Sequence, residues 1–341
     1  MKAQIAAGIL MVLAVACAEP TTPSSPSGPA PAAELSHVPM DASAKPLDIA
    51  VIGDAPYGAE ALAEFPTLIG AINSDPKVRE VVHVGDIKSG HTVCSDAWFE
   101  AVAQDFSLFE DPLVYAIGDN EWTDCHRPDN GPYAPLDRLA KIRQIFFSEP
   151  GSTLGGRNMG VEAEDGYPEN ALWVESRVTF SSYHIIGSNN GLDPWGDLDD
   201  PTARIAEVTA RNAANVAWLE HAFQVAHDRS SVGIVLFYQA DLWHPGDRAE
   251  GADFSEHTEF VNRLSELAAD FDGPVLIVCG DSHDLRVDPG VPWFSLYGAE
   301  PRANVTQVVV DRSIEDDMDW LRLHVDPRSE TVFSWEQMFV S

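Results

Sequence analysis

The stretch Ile49–Asp54, IAVIGD, is an apolar run that stops on Gly-Asp, and the same ending recurs further along the chain. The other copies are VVHVGD ending at Asp86, VYAIGD ending at Asp119 and VLIVCGD ending at Asp281. Continuous runs of Val and Ile predict strands that are covered on both faces of a sheet. Ligands of open α/β sheets bind beyond the carboxyl ends of the strands, so we expect the aspartates to meet there. A single Gly-Asp is a common turn, but crowded carboxylates need a cation, and four copies predict a metal site.

Strand and helix patterns alternate through most of the chain, which is typical of a sheet with parallel strands. We predict strands at 47–52, 80–84, 113–117, 171–175, 178–187, 232–238 and 275–279, and helices at 59–73, 97–109, 136–147, 201–226 and 254–270. The first helix is expected to break near Pro66. Residues 151–169 read as a surface excursion, and strands at 305–310, 320–325 and 331–335 as an antiparallel finish.

The composition indicates a folded, strongly acidic protein. The chain has 341 residues, of which 45% are hydrophobic, enough for a sizeable core. Lys and Arg total 21 against 54 Asp and Glu, which gives a net charge of −33. Polyanions are repelled by such a charge, so nucleic acid is excluded as an expected partner. The oligomeric state cannot be read from the sequence.

The first residues have the composition of an export signal. Residues 1–18 contain Lys2 followed by a short apolar run, and the sequence around Cys17 is similar to a bacterial lipoprotein signal; the alternative is ordinary cleavage after Ala18. Residues 19–45 are rich in Pro, Ser and Ala and read as a tether before a domain at 46–341. We therefore expect an exported protein, either anchored in the periplasm or cell envelope through Cys17 or secreted, with no other attachment to a membrane.

The remaining cysteines differ in their surroundings. Cys94 and Cys125 lie in loops that leave the same edge of neighbouring predicted strands, so they could pair in an oxidising compartment. Cys279 ends a buried strand and reads as a small core residue.

Taken in order, the motifs GDAPY, GDIKSG, GDNEW and GDSH resemble those of the calcineurin-like metallophosphoesterases. The resemblance covers about residues 47–311. It implies a four-layer α-β-β-α sandwich of two mixed sheets with two divalent metal ions at the strand ends. The implied activity is phosphoester hydrolysis by a metal-bridging hydroxide, with a small phosphoester as substrate.

Matching the motifs position by position implies roles for individual residues. The implied metal ligands are Asp54, Asp86, Asp119, Gln239, Asp281 and His283. Asp86 is the implied bridge between the ions. Gln239 matches the later histidine of the family pattern, and Asp241 and His244 are close enough in sequence to be alternatives for that position. Asn120 occupies the position of the catalytic histidine in the family's third motif, and Glu121 occupies the position of the acidic residue that ends this motif.

Most histidines of the family pattern are replaced here by Pro56, Asn120, Gln239 and Asp281. Oxygen ligands favour Mg²⁺, Mn²⁺ or Ca²⁺ over Zn²⁺, with iron as a further possibility. An asparagine donates a hydrogen bond but no proton at neutral pH, so substrates with good leaving groups should be preferred. The alternative hypothesis is a metal-binding pseudoenzyme or ligand-binding module on the same scaffold.

Cations and aromatic residues near the motifs complete the set of candidates. Lys88, Arg127 and Arg286 could hold a substrate phosphate, or they could form structural ion pairs with the abundant acids. The remaining side chains considered are Tyr57, Trp122 and Trp243 for a pocket rim or for packing, His91 and His126 as replacement ligands, and His83 and His184 as core residues.

Overall fold

Two mixed β-sheets lie between layers of helices in the computed structural model, which describes residues 44–314 and 317–340. The predicted signal and all but the end of the predicted tether lie outside the described residues. The strands are β1 (Leu47–Ile52), β2 (Val78–His83), β3 (Leu113–Tyr115), β4 (Glu162–Glu164), β5 (Tyr167–Glu175), β6 (Val178–Ser182), β7 (Gly233–Phe237), β8 (Val275–Cys279), β9 (Arg286–Pro289), β10 (Val305–Val309), β11 (Asp319–Val325) and β12 (Phe333–Phe339). The helices are α1 (Gly58–Asn73), α2 (Asp96–Phe106), α3 (Pro135–Phe146), the short turn α4 (Gly187–Asn190), α5 (Pro201–Asp228), α6 (Pro245–Glu250) and α7 (Thr258–Ala269).

The first sheet has the order β12-β11-β1-β2-β3 within the described residues. Strands β1, β2 and β3 run parallel, whereas β11 is antiparallel to β1 and β12 is antiparallel to β11. All six residues of β1 are buried, as a strand covered on both faces requires.

The second sheet has the order β4-β5-β6-β7-β8-β10-β9 within the same residues. Its centre, β6, β7, β8 and β10, is parallel, and antiparallel strands flank it on both sides. Parallel strands put their carboxyl ends at one edge, so each sheet presents several strand ends together.

The core divides into three apolar clusters that define the layers. One cluster joins α1, α2 and α3 to the first sheet, and another joins α5 and α7 to the second sheet. The third fills the space between the sheets with side chains such as Val51, Val82, Val235 and Val278. The predicted four-layer sandwich of two mixed sheets is confirmed.

Several predicted elements are corrected. Helix α1 continues through Pro66 without a break. The surface excursion at 151–169 contains β4 and the start of β5, and β9 was not predicted. The antiparallel finish holds for β11 and β12 but not for β10, which pairs parallel with β8. Strand β6 ends at Ser182, well before Gly187, and residues 183–186 connect it to the polar turn α4.

Cys94 and Cys125 form a disulfide, and Cys279 is buried at the end of β8. The bond joins the loop after β2 to the loop after β3. Within the described part of the chain, the helices are too short or too polar to cross a bilayer.

Candidate metal centre

The Gly-Asp strand ends bring four carboxylates to one place. Asp54, Asp86 and Asp119 follow β1, β2 and β3 of the first sheet, and Asp281 follows β8 of the second. One carboxylate oxygen from each of Asp86, Asp119 and Asp281 lies within 4.8 Å of the others, and we call these three residues the aspartate triad. The centre therefore lies where the strand ends of both sheets meet.

The glycine of the Gly-Asp pair makes room for another aspartate of the set. A Cβ atom at Gly118 would overlap Oδ1 of Asp86, and one at Gly280 would overlap Oδ2 of Asp54. The motif thus does more than turn the chain, because each of these glycines lets a neighbouring carboxylate approach its backbone closely.

Backbone conformations that side chains rarely adopt cluster in the same loops. Asp54, Asp86, Asp281 and His283 have φ angles of 53°, 58°, 76° and 61°, all in the left-handed region. Such residues each cost free energy and persist only where the surroundings fix them, which is frequent at functional sites.

Gln239, at the end of β7, lies at the middle of the triad. Its Nε2 is 3.1 Å from Asp86 Oδ2, 3.2 Å from Asp119 Oδ1 and 3.0 Å from Asp281 Oδ1. Its Oε1 accepts the N–H of Gly187 at 2.8 Å, which fixes the orientation of the amide. The implied ligand oxygen of Gln239 is therefore occupied elsewhere, and the side chain faces the triad as a hydrogen-bond donor.

Asp54 belongs to a second group of side chains, which also contacts Asp86 through Tyr57. Its carboxylate accepts the N–H of Asp281 at 3.1 Å and lies 3.3 Å from Nε2 of His283. The hydroxyl of Tyr57 donates to Asp54 Oδ1 at 3.1 Å, so Tyr57, considered for a pocket rim, instead reaches into the centre.

Burial makes this cluster electrostatically costly. The low-dielectric surroundings, followed by the Asp119 carboxylate, raise the pKa of Asp86 well above its usual range. The same two causes raise the pKa of Asp281. Burial and the negative charge of Asp86 also raise the pKa of the Tyr57 hydroxyl. The carboxylates thus stay charged more readily when a cation is bound.

Asn120 faces the centre, whereas Glu121 does not. Nδ2 of Asn120 donates to Asp86 Oδ2 at 2.8 Å, and its backbone N–H donates to Asp86 Oδ1 at 3.1 Å. Glu121 is fully buried, and its Oε1 accepts from Tyr115 and from the N–H of Gly118, both at 2.6 Å. These contacts hold Glu121 against Tyr115 and Gly118, away from the triad, and its catalytic role stays a prediction.

The three candidate cations have different surroundings. Lys88 is fully buried and donates to the backbone carbonyl of Asn120 at 2.6 Å, so it is not placed to bind a substrate phosphate. Arg286 donates to both oxygens of Asp241 at 2.7 Å and to Asp288 at 2.9 Å.

Arg127 remains the most accessible of the three. Its guanidinium pairs with Asp124 at 2.6 Å while 40% of its side chain is exposed. A Cβ at Gly90 would lie 2.9 Å from Arg127 and 3.2 Å from Oδ1 of Asn120, so both side chains border the same glycine.

The other polar candidates lie outside the triad. The replacement ligands His91 and His126 bond to Asp129 and to the carbonyl of Thr123, respectively. His244 accepts the N–H of Asp247 at the start of α6, and the buried Asp241 pairs with Arg286.

The two histidines expected in the core are both buried. His83 contacts the carbonyl of Ala55 and accepts the N–H of Gly85, so it joins the first two Gly-Asp loops. His184 bonds to Glu169. Trp122 is also buried, where its ring lies beneath the guanidinium of Arg211.

Ser188 was missed by the sequence analysis. Its hydroxyl donates to Asp119 Oδ2 at 2.7 Å from the turn α4, where Ser188 and Asn189 adopt left-handed conformations. The run Gly-Ser-Asn-Asn-Gly is rich in residues that tolerate this conformation. Its composition indicates a turn at the end of the segment that was predicted to be a strand.

The aspartate triad suits a hard divalent cation. It offers three carboxylate oxygens at the meeting point of several strands, and oxygen donors are preferred by Mg²⁺, Mn²⁺ and Ca²⁺. The three carboxylates therefore fit one such ion, and because the amide nitrogen of Gln239 lies 3.0–3.2 Å from one oxygen of each, this amide would have to turn away from a bound ion.

No protein-family model and no curated protein matches the chain. Among solved structures, a purple acid phosphatase from yellow lupin (Lupinus luteus) seeds is 11% identical, with a TM-score of 0.49 over 87% of this chain and 54% of that chain. GAP50, the anchor in the inner membrane complex of Plasmodium, is 11% identical, with a TM-score of 0.43 over 87% and 89%. A 5′-nucleotidase precursor from Thermus thermophilus is 10% identical, with a TM-score of 0.44 over 87% and 54%.

The chain spans about half the length of the phosphatase and of the nucleotidase. At this level of similarity, the roles of individual residues rest on the geometry of this chain. Two mixed sheets between helices, with the Gly-Asp strand ends gathered at one edge, form the four-layer architecture that the motifs implied.

Proposed function

We propose that the protein is a divalent-metal-dependent phosphoester hydrolase whose ion is held by the aspartate triad. The observation that carries this proposal is the approach of three carboxylates from both sheets to within 4.8 Å. Asp86 and Asp281 have raised pKa values because of burial and neighbouring charge, so the cluster is costly without a cation.

The chemistry of the donors selects the ion. Carboxylate oxygens favour Mg²⁺, Mn²⁺ or Ca²⁺ over Zn²⁺, with iron as a further option. A bound divalent ion would lower the pKa of a coordinated water and offset charge on phosphoryl oxygens.

The protein itself would orient the substrate. Nδ2 of Asn120 is a hydrogen-bond donor at the centre, and it holds Asp86 in place. The partly exposed guanidinium of Arg127 borders the same side and suits a phosphate group. Asn120 supplies no proton to a leaving oxygen, so aryl phosphates should be hydrolysed faster than alkyl phosphates.

A screen of phosphomonoesters and diesters, each with Mg²⁺, Mn²⁺, Ca²⁺, Fe²⁺ and Zn²⁺, tests the proposal. We expect turnover of at least one aryl ester with a hard cation and its loss in Asp86→Asn. The matched control is Asp228→Asn, since Asp228 is an exposed aspartate at the end of α5. Failure of every ester with every metal, or equal turnover in Asp86→Asn, would contradict the proposal.

A second candidate function is a ligand-binding module without turnover. It is favoured by Gln239, whose amide nitrogen satisfies three carboxylates where the family pattern has a histidine. Saturable metal binding without hydrolysis of any ester would support this second function.

We also propose export to an oxidising compartment, with lipidation at Cys17 as the finer prediction. The disulfide between Cys94 and Cys125 supports the compartment, because such bonds persist mainly outside the cytosol. Mass spectrometry of the mature amino terminus in a bacterial host tests it: a diacylglyceryl Cys17 is expected, and an unprocessed Met1 would contradict export.

A further inference from the structure

The short turn α4 has a left-handed backbone over three consecutive residues, none of which is glycine. Ser188 has φ 53° and ψ 45°, Asn189 has φ 50° and ψ 50°, and Asn190 has φ 55°. Residues with a Cβ atom rarely adopt this conformation, and asparagine usually does so as a single residue. Such a run persists only where its surroundings hold it, so the contacts of α4 decide its shape.

One side of the turn contacts the centre. The N–H of Gly187 donates to Oε1 of Gln239 at 2.8 Å, and the hydroxyl of Ser188 donates to Asp119 Oδ2 at 2.7 Å. A Cβ atom at Gly187 would lie 2.9 Å from Asp119 Oδ2 and 3.3 Å from Asp281 Oδ1, so the backbone of the turn itself lies against the carboxylates. The turn therefore fixes one oxygen of Asp119 and the orientation of the Gln239 amide.

The other side of the turn is bound by Arg211 of helix α5, which is fully buried. Its Nη1 donates to Asn190 Oδ1 at 2.6 Å and to the carbonyl of His184 at 3.1 Å, and its Nη2 donates to the carbonyl of Asn190 at 2.7 Å. Its Nε and Nη2 donate to the Glu207 carboxylate at 2.8 Å and 3.0 Å. A guanidinium has five N–H groups, so these five contacts use all of them. Glu207 thus fixes Arg211, and Arg211 fixes Asn190.

Two further contacts complete the surroundings of the turn. The ring centroid of Trp122, from the third Gly-Asp loop, lies 5.5 Å from the Arg211 guanidinium. Asn189 Oδ1 accepts the N–H of Glu256 at 3.0 Å. The side chains of the three left-handed residues are thus bonded to three separate parts of the chain, at Asp119, Glu256 and Arg211. Glycines would adopt the same backbone more easily but would supply none of these side-chain bonds.

We propose that Arg211, acting through Asn190 and the left-handed turn, is a positioning residue for the Ser188 hydroxyl at Asp119. The charge of Arg211 balances Glu207, and the planar fork of its guanidinium holds the turn. A lysine can supply the charge but not the fork. The importance of this placement for turnover rests on the proposed function, whereas the placement itself requires neither a substrate nor an ion.

A thiol in place of the Ser188 hydroxyl reports on this placement. Ser188 is partly exposed, and in Ser188→Cys the neighbouring Asp119 carboxylate should disfavour the thiolate and slow labelling by iodoacetamide. Adding Arg211→Lys keeps a cation beside Glu207 but removes the fork, so the turn should open more often and labelling should become about tenfold faster. Cys279 is buried at the end of β8 and serves as the reference in the same full-length chain, because its labelling reports opening of the whole fold. Peptide mass spectrometry measures the two rates separately.

Asn190→Gly gives a second variant, which carries the test if Arg211→Lys does not fold. Glycine adopts a φ of 55° without strain but lacks the side-chain oxygen that accepts from Arg211, so labelling should rise to a similar extent. Because both changes interrupt the same set of contacts, the two together should give no faster labelling than the faster of them alone. Arg263→Lys is the matched control, since Arg263 forms an exposed pair with Glu220, and it should leave the rate unchanged.

Three results would overturn the inference. Labelling of Ser188→Cys at the rate of a free thiol, in an otherwise unchanged chain, would show that this position is not held at Asp119. An unchanged rate in both Arg211→Lys and Asn190→Gly would remove the role of Arg211. An equal rise at Cys279 would show that the whole fold opens instead of the turn. Because labelling requires no turnover, an ester screen without activity would contradict the proposed function and leave this inference standing.

Discussion

Two buried polar regions of the described chain differ in how the negative charge of their carboxylates is balanced. In the region beneath α5, Glu169 bonds to Arg143 and His184, and Glu207 bonds to Arg211. In the metal centre, neutral donors such as Gln239 surround the carboxylates. The first region balances its charge within the chain, whereas the second leaves a negative charge for an external cation to balance.

The pKa values of the buried carboxylates differ between the two regions in the direction that this charge balance requires. The neighbouring His184 and Arg143 bring the pKa of Glu169 down to about 2, although burial alone would raise it. Burial and like charge raise the pKa of Asp86 and of Asp281. Equal burial thus has opposite outcomes because an arginine bonds directly to Glu169, whereas the groups that bond to Asp86 and Asp281 include the neutral donors Asn120 and Gln239.

Arg211→Met should produce the largest loss of stability. Arg211 is fully buried and donates to Glu207 at 2.8 Å and to Asn190 Oδ1 at 2.6 Å, so its removal leaves a carboxylate without its cation. We expect the free energy of unfolding to fall by about 3–5 kcal/mol in urea denaturation. Arg263→Met, at an exposed pair with Glu220, should cost less than about 1 kcal/mol. Equal losses in both variants would contradict the described balance of charge.

Loss of the disulfide should have a slightly smaller effect. The bond closes a loop with a sequence separation of 31 residues, so the double variant Cys94→Ala with Cys125→Ala should lose about 3–4 kcal/mol. Both sulfur atoms lie 3.8 Å from the backbone carbonyl of Asn120, and Mn²⁺ affinity should fall as well. Unchanged affinity in calorimetry would show that the bond does not help to position the centre.

Addition of the cation should stabilise the metal centre. Because the ion binds the folded state, Mn²⁺ at about 100 times its Kd should add about 2.7 kcal/mol to the free energy of unfolding of wild type. Asp281→Asn removes one member of the triad and should abolish most of this gain. Urea denaturation with and without Mn²⁺ measures the gain, and an equal gain in the variant would place the ion elsewhere.

Glu80 is a buried carboxylate that bonds to the Trp173 indole rather than to a cation, and its substitution is expected to have the smallest effect. Burial, the largest cause, raises its pKa to about 7, although a hydrogen bond from Trp173 at 3.0 Å opposes the shift. Because the folded-state pKa is the higher one, its contribution to stability is complete below about 4.5 and is lost as pH rises through 7.

Glu80→Gln should therefore be more stable than wild type at pH 8 by about 2–3 kcal/mol, with the difference vanishing near pH 4. Urea denaturation across this pH range measures it. A difference that does not change with pH would mean that Glu80 is not the titrating group.

The strands, their parallel direction and their Gly-Asp ends were predictable because continuous Val and Ile runs followed by a turn are local signals. The placing of Asp86, Asp119 and Asp281 together followed from the general position of ligands in such sheets. The amide orientation of Gln239 was not predictable, since it depends on the N–H of Gly187, which is far away in the sequence. The burial of Lys88 escaped prediction for the same reason, because its bonding partner, the carbonyl of Asn120, lies in the loop that follows a different strand.

Titration calorimetry of Mn²⁺ into wild type and into Asp119→Asn tests the central claim most directly. The account predicts saturable binding to wild type and its loss in the variant, because Asp119 supplies one of the three triad oxygens. Absence of saturable binding to wild type, or equal affinity in Asp119→Asn, would contradict it.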